Sequence, residues 1–146
     1  MSVLLTSTLL SALLSWSAWA EEKKTVVFIV NEKNPVKEMS TKEISDFYFK
    51  KNRHWPDGSK VRFFDQKGAS PQEEWFLKNI LKKSQHDVDL FWVGEKNHSG
   101  QGAPIVAPSD DMVISSVAAV PGGIGYIYGK EVDLSHVKKI TVKDSE

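Results

Sequence analysis

The sequence predicts an α/β fold with a mostly parallel sheet flanked by helices. Short β-branched and aromatic runs alternate with longer stretches of helical periodicity, the pattern of strands joined by crossover helices. The first run, TVVFIVN from Thr25 to Asn31, is apolar without alternation, as expected of a strand covered on both faces. No segment repeats another and no tract is of low complexity, so a stacked-repeat architecture is excluded.

The elements follow in order. After a loop containing Pro35, Ser40 and Glu43 stand at capping-box spacing, and Ile44, Phe47 and Tyr48 share the face of a helix. The turn chemistry of WPDGSK leads into a second strand, VRFFDQ. In QKGASPQEEWF, Ser70 caps a second helix, Pro71 takes its first position and Glu73 completes another capping box. Phe76, Leu77, Ile80 and Leu81 give that helix a wide apolar face. A third helix starts at Ser84, with Val88, Phe91 and Trp92 at helical spacing, and GEKNHSGQGAP after it reads as a flexible loop. Ser109 caps a fourth helix. Asp110 and Asp111 lie in its first turn, where the dipole favours carboxylates, and Val113, Val117 and Val120 form its buried line. The PGG stop, the strand IGYIYG and a closing edge strand VKKITV, guarded by its lysines, complete the chain.

Composition narrows the function. Residues 1–20 carry no charge and end in Ala18-Trp19-Ala20 before EEKK, which reads as a secretory signal peptide, with a retained membrane anchor as the alternative. Residues 21–146 then form one domain, expected in the periplasm and free of the membrane after cleavage. Lys+Arg and Asp+Glu both number 19, which offers nucleic acid no basic excess. The stretch KKNRHW mixes cations and aromatics, but in a neutral, exported chain it reads as a solvated helix end. There is no cysteine, and the four histidines lack metal-ligand spacing, so neither metal nor other cofactor is implied. No nucleophile elbow is present and no enzyme is expected.

Four segments in order, VVFIVNEKNPV, STKEISDFYFKKNRHWPDGSKV, DQKGASPQEEWFLKNIL and VPGGIGYI, resemble the periplasmic solute receptors of phosphate ABC transporters. The most specific pieces are Ile44, Asp46 and Phe47 with Trp55, and the block Pro121 to Tyr126. The resemblance implies a type II periplasmic-binding-protein fold, here a single lobe like the second of the two that close on the anion. It also implies phosphate or another small oxyanion as ligand, and an ABC permease or another envelope protein as partner.

The implied anion cradle is an arginine followed four residues later by Ser-Gly-Thr at a helix start. Setting its serine on Ser70 puts Gln66 at the arginine, Pro71 at the glycine and Gln72 at the threonine. Glutamine replaces a charged bidentate fork with a neutral amide, and Pro71 removes a backbone N–H that would face the anion. Ser70, Gln66, Gln72 and the flexible cation Lys67 are therefore the candidate ligand-binding residues. Two readings stand: a solute receptor with a weakened anion site, and an interaction module that keeps the lobe without binding phosphate.

If the leader is cleaved, mass spectrometry of the periplasmic fraction will find a mature N-terminus at Glu21. An intact Met1 in the membrane pellet would make the leader an anchor.

Overall fold

The structure, a computed structural model, describes residues 25–129 and 133–145, so the expected leader and its cleavage site lie outside the described residues. The chain runs β1 (Val26–Asn31), β2 (Glu38–Ser40), α1 (Thr41–Tyr48), β3 (Arg62–Gln66), α2 (Pro71–Phe76), a π-helical continuation (Leu77–Leu81), α3 (Gln85–Ser99), β4 (Ile105–Ala107), α4 (Asp110–Ala119), β5 (Gly123–Tyr128) and β6 (Val137–Lys143). The strands form one sheet ordered β2-β6-β1-β5-β3-β4. Three of the five pairings are parallel, β2 with β6 and β3 with both β4 and β5, while β1 runs against β5 and β6. The expected mostly parallel sheet with flanking helices is present.

Strand alternation places the core on both faces. In β1, Phe28 and Val30 join a large cluster with Ile44, Phe47, Phe76, Val88 and Trp92 from α1, α2 and α3, whereas Ile29 joins Val113 and Val117 of α4 on the opposite face. That two-sided burial is why the strand is apolar throughout. Among the described residues, Lys50, Ala69 and Lys82 adopt left-handed backbone without being glycine.

Four expectations need correction. The strand VKKITV is not an edge, because the three-residue β2 pairs outside it, with Glu38 opposite Thr141 and Ser40 opposite Lys143. A segment with one apolar residue in three carries too little pattern to be read as a strand. At the other edge β4 is equally short. The expected loop GEKNHSGQGAP is largely helix: α3 runs through Gly94 to Ser99 and stops at Gly100, whose left-handed φ of 75° suits a C-terminal cap. A glycine on an exposed helical face costs only about 1 kcal/mol, which the rest of the helix offsets. The second capping box is half formed, because Glu73 N–H donates to Ser70 Oγ but the Glu73 carboxylate accepts from Ala69 rather than Ser70. The basic residues of KKNRHW follow α1 rather than occupying its last turn.

The two most specific sequence pieces meet in space. Phe47 packs edge-on against Trp55 with ring centroids 4.8 Å apart, and the Trp55 indole N–H donates to Gly122 O at 3.0 Å. Arg62 N–H donates to the same carbonyl at 2.9 Å. A Cβ at Gly122 would lie 1.8 Å from Lys60 O, and one at Gly125 would lie 2.5 Å from Val113 Cγ1. These glycines therefore serve close packing of β5 against the turn and α4.

Beneath α1 and α2 the core holds the carboxylate of Asp65, which has no ion-pair partner among the described residues. Asp65, 7% exposed, accepts from the hydroxyls of Tyr48 (3.1 Å) and Tyr126 and from Gln66 N–H (2.8 Å), which ties α1, β3 and β5 together. Desolvation raises the Asp65 pKa above 3.8, and these hydrogen bonds oppose the rise without cancelling it. Both tyrosines are pushed up, first by burial and then by the Asp65 charge.

A carboxyl group with a raised native value binds its proton more tightly when folded. Its contribution to stability is fully present below the unfolded value, near 3.8, and is lost as pH rises through the native value. Urea titrations should therefore show wild type gaining stability relative to Asp65→Asn as pH falls from 7 toward 4; parallel pH profiles would contradict this. Asp65→Ala should lose about 2 kcal/mol or more at pH 7, because it leaves two buried hydroxyls without their acceptor and the Gln66 N–H with only its longer 3.4 Å contact to the Tyr126 hydroxyl.

Candidate functional site

The carboxyl ends of the parallel trio β3, β4 and β5 open toward the N-termini of α2 and α4, the place where open α/β sheets bind ligands. Gln66 ends β3, and the turn Lys67–Ala69 lifts the chain to Ser70 at the cap of α2. Asp110 opens α4 after its own cap, Ser109. Two helix N-termini thus bring their positive dipole ends to one locus.

Each candidate residue has a definite place there. Gln66 is 3% exposed, and its side-chain amide donates to Tyr126 O at 2.8 Å and to Asp110 Oδ1 at 2.7 Å. The Gln72 amide donates to the same Asp110 oxygen at 3.1 Å. The second oxygen, Oδ2, accepts from Tyr128 N–H at 3.2 Å. Donors from α2, β3 and β5 therefore converge on a carboxylate supplied by α4. Ser70 Oγ accepts from Glu73 N–H at 3.2 Å, and Lys67 is exposed on the turn.

The backbone donors of the α2 entry are similarly engaged. Ala69 has a φ of 60°, and its N–H donates to Glu73 Oε2 at 2.6 Å. Ser70 N–H donates to Lys67 O at 3.2 Å, and Pro71 has none to offer. Glu73 is 5% exposed, and its pKa is raised, chiefly by desolvation and then by the charges of Asp65, Asp89 and Glu74, against the opposing Ala69 hydrogen bond. The locus has the topology of an anion site and the electrostatics of an anion already present. Asp110 supplies the negative group that two helix dipoles and two amides favour.

Sequence reasoning brought Gln66, Ser70 and Gln72 to this locus but assigned Asp110 only to its own helix dipole. The available signal was the neutral Gln66 where the resemblance implies an arginine, which leaves out the strong cation without naming the group that replaces the anion. Among the described residues, no group of three or more His, Cys, Asp or Glu side chains is arranged to hold a metal, and no helix is long and apolar enough to cross a membrane.

A lobe of this topology, with helix N-termini gathered at the carboxyl ends of parallel strands, is one lobe of the type II periplasmic-binding-protein fold. It is similar to a substrate-binding protein of phosphate ABC-transporter type, solved with bound phosphate, from Clostridium perfringens (TM-score 0.65, 20% identity). It is also similar to an ABC-type phosphate transport receptor from Vibrio cholerae (0.64, 17%) and to PstS from Borrelia burgdorferi (0.63, 16%). Each likeness covers 82% of this chain, while the chain spans only 45%, 46% and 47% of theirs. At these identities the likeness is one of fold. No protein-family model matches the sequence, and no curated protein sequence does.

Proposed function

We propose that this chain is an exported, non-enzymatic protein of phosphate-receptor type whose anion cradle is filled by its own Asp110, so that it binds phosphate weakly and acts by docking on an envelope complex. One observation carries this reading: the amides of Gln66 and Gln72 and the N–H of Tyr128 all donate to the Asp110 carboxylate. Phosphate would have to displace that carboxylate and then remain beside it and Glu73, with like charges at close range in a poorly solvated site. The helix dipoles offer about 0.3–1 kcal/mol each, against the roughly 8 kcal/mol that micromolar affinity requires. The cradle lacks the charged fork that would make up the difference.

The docking partner is an ABC permease or another envelope protein, and the mature domain is residues 21–146 in the periplasm. A second reading rests on Gln66, Ser70 and Gln72 meeting at one helix entry: a second copy of the chain or a partner completes an anion site there with Lys67.

Calorimetry of the mature domain with inorganic phosphate should show nothing tighter than about millimolar, near 4 kcal/mol. Gln66→Arg alone should not help, because the guanidinium would pair with Asp110. Gln66→Arg with Pro71→Gly and Asp110→Ser restores the fork and the N–H and removes the internal anion, so it should gain at least tenfold in a folded variant. Micromolar binding by wild type would overturn the closed-cradle reading, and binding that appears only on forced dimerisation would favour the completed-lobe reading.

A further inference from the structure

At the opposite end of β3 lies a cavity of about 350 Å³ whose rim carries Lys50, Arg53, His54, Lys60 and Arg62. No carboxylate lines it, and among the described residues none forms an ion pair with Lys50, Arg53, Lys60 or Arg62. In a chain with equal numbers of acidic and basic residues, this local excess is a property of the fold rather than of composition. The first residue of β3, Arg62, borders this cavity and the last, Gln66, borders the cradle. Four strand steps, roughly 13 Å, separate the two.

The cations are held by built structure. The segment from Arg53 to Val61 folds back on itself through Trp55 N–H to Ser59 O (2.8 Å), Val61 N–H to Arg53 O (2.9 Å) and a bridge between His54 and Lys60. Lys50 adopts a left-handed φ of 56° just beyond α1. Its ammonium donates to Gly102 O at 2.6 Å and lies 5.5 Å from the centre of the Trp92 ring, which fixes it between α1 and the loop before β4. Burial, then the charges of Arg53 and Arg62, push Lys50 below its ordinary pKa, so the cations repel one another across the cavity. An anion between them would relieve that repulsion.

The rest of the lining is mixed: Asn52 and Gln101 are polar, while Phe47 and Phe63, both buried, and the exposed Ile105 supply apolar surface. A cationic rim over an aromatic base, in a volume of small-molecule scale, selects for both charge and an apolar body. We propose that this cavity is a binding site for a small organic anion, an aromatic or aliphatic body carrying a carboxylate or phosphate group, separate from the cradle at the other end of β3.

The test uses the mature protein with phenyl phosphate, inorganic phosphate and the neutral isostere benzyl alcohol, read by amide chemical shifts in solution. Phenyl phosphate should saturate at submillimolar concentration, with shifts centred on residues 50–54, 60–63 and 101–105. Inorganic phosphate should bind at least tenfold more weakly, and benzyl alcohol should not saturate. Arg53→Gln with Arg62→Gln should weaken phenyl phosphate at least tenfold, while Asp110→Ser should leave it unchanged. If the double variant fails to fold, Lys60→Gln, at an exposed position, should still weaken binding several-fold.

Absence of saturation by phenyl phosphate, or equal affinity for inorganic phosphate, would overturn the proposal. So would an acidic peptide that binds here when phenyl phosphate does not, since the site would then serve a macromolecule. Shifts centred on Ser70 and Gln72 would contradict both this proposal and the closed cradle, whereas failure confined to residues 50–63 would leave the cradle reading intact.

Discussion

A continuous line of hydrogen bonds, from Tyr48 through Asp65 and Gln66 to Asp110 and Gln72, joins α1, β3, α4 and α2 across the lobe. Its first half is buried and its second half reaches the carboxyl end of β3. A buried carboxylate with no cation is tolerated only when neutral donors surround it, and Asp65 has two phenols and an amide. Those donors hold α1, β3 and β5 together at this point, and Gln66, whose N–H donates to Asp65, carries the network on to Asp110.

The second half of the line lies where the first turns of α2 and α4 meet the carboxyl end of β3. The dipoles of α2 and α4 attract negative charge to the end of β3 whatever supplies it. In a receptor the supply is external. Here Asp110, at the first position of α4, is close enough for both glutamine amides to reach it, and Glu73 accepts the Ala69 N–H at the entry to α2. A glutamine at position 66 suits this arrangement, because a neutral amide donates to an internal carboxylate without the cost of burying a further charge. The acidic cradle and the basic cavity at the other end of β3 are thus opposite arrangements within one lobe: one with its anion supplied internally, the other left without a counter-ion.

Much of this was legible in the sequence. Strong periodicity and capping chemistry located α1, the start of α2, α3 and α4, and the uninterrupted apolar run of β1 announced a strand with helices on both sides. The parts that were not legible have physical reasons. β2 and β4, with three residues each, hold their places through pairing with strands distant in sequence, and no local pattern records such pairing. The helical path of Gly94–Ser99 was hidden by glycine and polar content that an exposed helix face tolerates. Gln66, Ser70 and Gln72 lie within seven positions, so the resemblance points to them together, whereas Asp110 lies 44 positions from Gln66 and meets it only through the crossover of the chain. The basic residues of KKNRHW looked like a solvated helix end because their convergence with Lys60 and Arg62 depends on a turn whose folded shape the sequence suggests only in outline.

The closed cradle is tested most directly by a crystal structure of the mature domain soaked in tens of millimolar inorganic phosphate. A filled cradle requires Asp110 to remain against Gln66 and Gln72, with no anion between them. Density for phosphate held by Ser70, Gln66 and Gln72, with Asp110 rotated away, would contradict it.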